Sequence, residues 1–211
     1  MLKVGLTGMS GSGKGYISEL LVKSGVPCLD TDLVSRQVCG AGMPCTEELR
    51  DRYGAGIIRA DGSLDRAALR EIVFSDPKAL SDLNAITHKH ILARCREWLA
   101  GWEKQGILAA VIDAPQLYES GFDSECDLVI AVTAPRAKCI KRILERDGVD
   151  EATAEKRLDA QHGEDFFRKR ADIVIENAGG PCEEKVARAA ALLLGYAKAP
   201  RTVGQAKHVI G

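Results

Sequence analysis

Residues 8 to 15 read Gly-Met-Ser-Gly-Ser-Gly-Lys-Gly and follow directly on the apolar run Leu2-Lys3-Val4-Gly5-Leu6. This is G-x-x-x-x-G-K between a strand and a helix, the context that motif requires, and it commits the chain to begin as a parallel α/β core. Gly8, Gly11 and Gly13 carry no Cβ, so the backbone can take φ > 0 and turn its N–H groups around an anion. The helix that follows presents its positive end to the same point. Lys14 adds a mobile cation that reaches the β- and γ-phosphates of a nucleoside triphosphate. Gly15 breaks the pattern, because Ser or Thr normally supplies a hydroxyl to magnesium there. Magnesium keeps several waters in such sites, so a water can occupy that position; weakened metal binding or a slower reaction is the expectation.

A chain of 211 residues, 45% apolar and 28% charged, is long enough for one α/β domain with insertions. Its net charge of −1 gives no global signature for nucleic acid or a membrane surface. No apolar run approaches the roughly 18 residues that span a bilayer. The sequence enters a strand at once, with no charged-then-apolar leader, so no targeting segment is expected. The seven cysteines are scattered and never spaced C-x-x-C. Free thiols and a cytoplasmic location follow as expectations, with no disulfide framework or zinc site.

Short apolar runs alternate with helical stretches, which predicts a parallel sheet. Strands are expected at residues 2–6, 26–29, 107–112, 128–132 and 173–175, each apolar on both faces as buried parallel strands are. Helices are expected at Lys14–Ser24, ended by Gly25, and from Pro181 to Tyr196. Two helical excursions interrupt the alternation. The first, about 34 to 104, contains Asp65–Phe74, a helix opened by Asp76-Pro77 and a long amphipathic run from Ala85 to Lys104. The second, about 136 to 170, is rich in Lys and Arg. The tail after Tyr196 reads as a frayed, flexible end.

In open α/β sheets, ligands sit beyond the carboxyl ends of the strands. The loop, Asp30-Thr31-Asp32 and Asp113-Ala114-Pro115 all follow strands, and the layout is that of a small phosphotransferase. Asp32 stands where an acceptor hydroxyl would meet the γ-phosphate, and a carboxylate there can orient the hydroxyl and take its proton. Asp30 or Asp32 is equally suited to cap the next helix. Asp113 ends an apolar strand as a magnesium-holding Asp does through water, or as a polar residue leaving a buried strand. Lys138, Lys141, Arg142 and Arg146 share one helix face, and Arg157 and Gln161 share another. As a flap they would neutralise charge on the β,γ-phosphates; interleaved Glu145, Asp147 and Glu155 also fit a solvated, ion-paired face. A lone His such as His88 is more often structural than a ligand.

Together these blocks resemble the dephospho-coenzyme A kinase family. The resemblance rests on Val4-Gly5-Leu6-Thr7-Gly8 with Gly11-Ser12-Gly13-Lys14, on Asp30-Thr31-Asp32 and on Ile86-Thr87-His88. It continues through Asp113-x-Pro115-x-Leu117-Tyr118-Glu119-Ser120-Gly121, Arg142-x-x-x-Arg146-Asp147-Gly148, Arg157-x-x-x-Gln161 and Ala171-Asp172-x-x-Ile175-x-Asn177. It implies an α/β, P-loop, three-layer core with a five-stranded parallel sheet (1–33, 105–135 and 171–197), a helical acceptor-binding domain (34–104), a helical lid (136–170) and a tail (198–211). It implies transfer of the ATP γ-phosphoryl group to the ribose 3′-hydroxyl of dephospho-coenzyme A, with ATP and Mg2+ as cofactors. By position, Asp32, Lys14 and Arg142 carry the chemistry. Gly8, Gly11, Ser12, Gly13, Lys14, Gly15, Tyr16, Arg146 and Arg157 hold the nucleotide. Asp32, His88, Leu117, Tyr118 and Glu119 face the acceptor, and Asp113 faces the metal through water. The implied partners are small molecules alone, ATP and dephospho-coenzyme A, with the chain a monomer or weak homo-oligomer. The chain departs from the family at Gly15-Tyr16, Lys89, Gln116 and His162-Gly163. A kinase for another small hydroxyl acceptor, or a nucleotide-binding homologue without catalysis, are the alternative readings.

Overall fold

The computed structural model describes residues 1–198 and, by their backbone, residues 208–210. In chain order the elements are β1 (Leu2–Gly8), α1 (Lys14–Lys23), β2 (Cys28–Asp30), α2 (Thr31–Val38), α3 (Pro44–Tyr53), α4 (Arg66–Phe74), α5 (Pro77–Lys104) and β3 (Ala109–Asp113). They continue with β4 (Leu128–Thr133), α6 (Arg136–Asp147), α7 (Glu151–Asp159), α8 (Glu164–Arg170), β5 (Ile173–Glu176), α9 (Glu183–Lys198) and β6 (His208–Ile210). The strands form one sheet in the order β2-β3-β1-β4-β5-β6. β1 pairs parallel with both β3 and β4, and β5 parallel with β4 and β6.

All five expected strands are present, and the expected α/β, three-layer class holds. Leu2, Val4 and Leu6 of β1 join Ile17 and Leu21 of α1 and Val186 and Leu193 of α9 in one core. Gly5 points to the other face, where a Cβ would press into Leu117 and approach Cys126 Sγ at 3.2 Å. Two carboxylates staple the starts of β1 and β4: Lys3 N donates to Asp127 Oδ2 at 2.8 Å and Val129 N to Asp172 Oδ2 at 2.8 Å. The returning bonds, Asp127 N to Lys3 O at 2.8 Å and Asp172 N to Val129 O at 2.9 Å, close each staple and pin the register.

Two expectations change. The sheet has six strands, because His208–Ile210, read as part of a flexible tail, pair with Ile173–Ile175. Arg201 and Lys207 of that tail lie outside the described residues. The two helices expected at Pro77 and at 85–104 are one helix of 28 residues. No Gly or Pro stands between Pro77 and Gly101 to break it.

The chain divides into two compact units, one of Met1–Leu29 with the chain from Trp102 onward, the other Asp30–Gly101. In the second unit, Arg52 grips Asp82 through Nε at 3.0 Å and Nη2 at 2.7 Å. Glu48 of α3 accepts from Lys89 Nζ at 2.6 Å and lies 2.8 Å from His90 Nε2, both on α5. These two partners hold its carboxyl below the usual carboxylate range, Lys89 first. The seven cysteines are free thiols, and among the described residues no helix is long and apolar enough to cross a membrane.

Candidate active site

The loop between β1 and α1 is shaped from behind. Gly11 and Gly13 have φ of 73° and 87°, values that L side chains rarely adopt. A Cβ on Gly11 would run into the Cys139 carbonyl, and one on Gly13 into Asn177 Nδ2. Glycine is therefore required there by conformation and by space.

α1 opens without a cap. Its N-cap is Gly13, no side chain accepts from its first turn, and that turn holds no acidic residue. By contrast α2, α4 and α7 are capped by Asp30, Asp65 and Asp150, whose carboxylates accept first-turn N–H groups. Such a cap stabilises a helix by about 1 kcal/mol. α3, α6 and α8 also open without a side-chain cap; what sets α1 apart is the glycine loop that leads into it, with Gly13 in the left-handed region as its N-cap.

Lys14 forms an ion pair with Asp113 at the end of the neighbouring strand β3. Asp113 is buried, with 5% of its surface exposed. Leu6 and Asp113 are register partners, so the parallel pairing of β1 and β3 brings the lysine and the carboxylate together. Gly15 is exposed, and a Cβ there would meet nothing within 4 Å. Tyr16 donates its hydroxyl to Glu183 Oε1 at 2.9 Å, and that bond leads the causes raising the phenol above its ordinary pKa.

The segment expected as a lid supplies three different kinds of contact. Gln161 holds Ser10, accepting from its N–H at 3.0 Å and donating to its Oγ at 2.9 Å. Arg146 and Arg157 converge on Asp147, at 2.7 Å from Nε and 2.6 Å from Nη1 respectively. Arg142 does not share that arrangement: its guanidinium lies on carbonyls of the loop itself, Gly11 O at 3.1 Å and Ser12 O at 3.0 Å. A finger reaching over phosphates is not what Arg142 forms here, because neutral backbone oxygens engage it.

The residues expected on the acceptor side separate. Leu117 is fully buried against Gly5, so it is a core residue and not a contact surface for a substrate. Tyr118 packs edge-on against Phe166 with centroids 5.3 Å apart, under the Arg170 guanidinium at 4.6 Å. Its hydroxyl is buried without a hydrogen-bond partner, and burial pushes the phenol up to about 12. Glu119 is exposed and lies 3.9 Å from His162, which stacks on Phe166 at 3.7 Å. Asp32 and His88 belong to the second unit. There Asp30 performs the capping, accepting from Asp32 N at 2.8 Å and Leu33 N at 3.3 Å, which leaves the exposed Asp32 carboxylate to other work. His88 is half-buried on α5.

Asn177 received no site role from the sequence, yet it is buried and donates Nδ2 to Ser12 O at 2.8 Å. The signal available was its place just beyond a buried strand, ahead of Gly179-Gly180. Asp147, the hub of the two arginines, stands in the sequence as an interleaved acid and as a member of the Arg146-Asp147-Gly148 block, with no site role of its own.

A parallel sheet whose first strand ends in this loop, with a part-buried lysine paired to a buried carboxylate beside it, defines a phosphate-loop protein of the small-molecule kinase kind. The family model for dephospho-CoA kinase matches residues 2–183. The dephospho-CoA kinase of Anaeromyxobacter dehalogenans is 41% identical over 181 residues, 86% of each chain. That of Corynebacterium glutamicum is 37% identical over 179 residues, 85% of this chain and 92% of the relative. Among solved structures, TT1252 from Thermus thermophilus is 31% identical with a TM-score of 0.77, covering 90% of this chain and 96% of that one. Dephospho-CoA kinase from Campylobacter jejuni shares the fold at a TM-score of 0.65 and 23% identity, over 92% of this chain and 96% of that one. The chain belongs to the dephospho-CoA kinase family.

Proposed function

We propose that the chain transfers the γ-phosphoryl group of ATP to the ribose 3′-hydroxyl of dephospho-coenzyme A, giving coenzyme A and ADP. The observation that carries this reading is the glycine loop between β1 and α1, with Lys14 paired to Asp113 at its end, in a member of that family. The loop and the helix end bind the β- and γ-phosphates, and Lys14 exchanges Asp113 for phosphate oxygen when nucleotide enters. Asp32 orients the acceptor hydroxyl and takes its proton. Arg146 and Arg157 supply positive charge toward the phosphates, with Asp147 fixing both guanidinium planes. His88, Tyr118 and Glu119 serve the acceptor, and Tyr16 lies at the nucleotide's edge of the loop.

The residues present fit magnesium in one way. Gly15 offers no hydroxyl, while Asp113 would hold the ion through water, and one carboxylate with phosphate oxygens and waters is an ordinary set for it. When bound, the ion neutralises charge on the β,γ-phosphates.

The test is ADP release from ATP with a panel of hydroxyl acceptors at low and high magnesium. Dephospho-coenzyme A is expected to support turnover above every nucleoside or sugar acid tried. ATP binding without such turnover at high magnesium would refute the reading. Gly15→Ser meets no steric obstacle. It is expected to lower the magnesium concentration for half-maximal rate roughly fivefold, the worth of about 1 kcal/mol for one hydroxyl contact. An unchanged requirement in the same titration means that water already fills that position.

A further inference from the structure

We infer that Arg142 and Asn177 act as one positioning pair, holding the phosphate loop in its anion-binding shape through its Gly11 and Ser12 carbonyls. Arg142 Nη1 donates to Gly11 O at 3.1 Å and Ser12 O at 3.0 Å, and Nη2 to Asn177 O and Oδ1, each at 3.2 Å. Asn177 Nδ2 donates to Ser12 O at 2.8 Å, so that one carbonyl receives two donors. Asn177 is itself fixed, because its N–H donates to Thr133 O at 2.8 Å at the end of β4. It is 5% exposed, so no water competes freely for its amide.

The consequence for the loop follows from the planar trans peptide. A C=O and the N–H of the next residue point in opposite directions. Holding Ser12 O against Arg142 and Asn177 therefore drives the Gly13 N–H away from them, toward the mouth of α1. Were the Ser12–Gly13 peptide to flip, its oxygen would face the anion and Ser12 O would surrender both bonds. The pair thus works against the one backbone rotation that glycine at position 13 otherwise permits. It also explains why position 13 has no room for a Cβ: Asn177 Nδ2 occupies that space.

The charge contributes as well. All four hydrogen bonds of Arg142 go to neutral oxygens, and among the described residues no carboxylate is paired with it. Its positive charge thus adds to the field of the α1 N-terminus. Arg142 sits on α6, at the entry of the helical excursion, and Asn177 follows β5, where the chain returns to the sheet. Residues from the helix that opens the excursion and from the strand end that follows it thus meet at the loop.

The inference rests on the nucleotide-binding half of the proposed function and not on the acceptor. It is tested by the ATP dissociation constant from calorimetry, without acceptor, in Asn177→Ala, Arg142→Lys and the double variant. Each single variant is expected to weaken ATP about tenfold, the loss of one to two hydrogen bonds that set the loop. The double variant is expected to weaken it by less than the product of the two, as coupled residues do. In turnover, KM for ATP should rise while KM for dephospho-coenzyme A stays within twofold. Unchanged ATP affinity in folded single variants overturns the inference, as does a lowered Tm with no change in affinity. Should Asn177→Ala not fold, Arg142→Lys decides alone, since it keeps the charge and the aliphatic stem but cannot span both carbonyls. Absence of turnover in a wild-type protein that binds ATP would refute the proposed reaction and leave this inference standing.

Discussion

Asp32→Asn is expected to lower turnover at least a hundredfold while changing the ATP dissociation constant less than twofold. The magnitude is that of a positioned general base, about 10²- to 10⁴-fold. The isolation of the effect follows from the start of α2. Asp30 makes both capping bonds there, so removing the Asp32 charge leaves the cap intact. Only the favourable interaction of a first-turn carboxylate with the helix end is lost, roughly 0.5 kcal/mol at an exposed position. ADP release measured beside calorimetric ATP binding separates the outcomes. Turnover within threefold of wild type would return Asp32 to the solvated surface of α2.

Lys14→Met is expected to cost about 10²- to 10³-fold in turnover, as loss of a positioned donor to a developing charge does. It also has a stability signature. The Asp113 carboxylate, side chain 6% exposed, would lose the cation it is paired with. Removing one member of a buried pair costs about 3 kcal/mol or more, and because Lys14 is part-buried the loss here is expected to be smaller, about 1–2 kcal/mol. Asp113→Asn placed in the same chain should restore most of the Tm lost by Lys14→Met and none of the turnover. Thermal unfolding of the two single variants and the double closes the cycle. A double variant no more stable than Lys14→Met would mean that the pair contributes nothing to the fold.

The sequence made the strands and the loop legible because their causes are local. Runs such as Ala109–Asp113 are apolar on both faces, and the glycines and lysine of the loop stand at fixed spacing. What escaped has causes far apart in the chain. Leu117 was expected on the acceptor side because the resemblance implies it, but its inward turn depends on the missing side chain at Gly5 of β1, far away in the chain. Arg142 looked like its companions Arg146 and Arg157. Its partners are backbone carbonyls and the Asn177 amide oxygen, neutral groups that leave no charge pattern in a sequence, whereas theirs is a carboxylate. Asn177 was hidden for the same reason. The continuity of α5 was missed because irregular apolar spacing before Ala85 resembles a boundary when no breaker residue is actually there.

The open end of α1 has a thermodynamic meaning beyond recognition. A helix that begins at a bare glycine carries unmet donors into the folded state, and a bound phosphate completes what a serine or aspartate would complete elsewhere. Occupancy and folding are then one linked equilibrium. At a nucleotide concentration about 100 times the dissociation constant, mass action adds about 2.7 kcal/mol to the folded state. In a cell rich in ATP, the triphosphate would in this sense be a stabiliser of the fold as well as its reagent, and scarcity of nucleotide would lower the stability of the whole folded state.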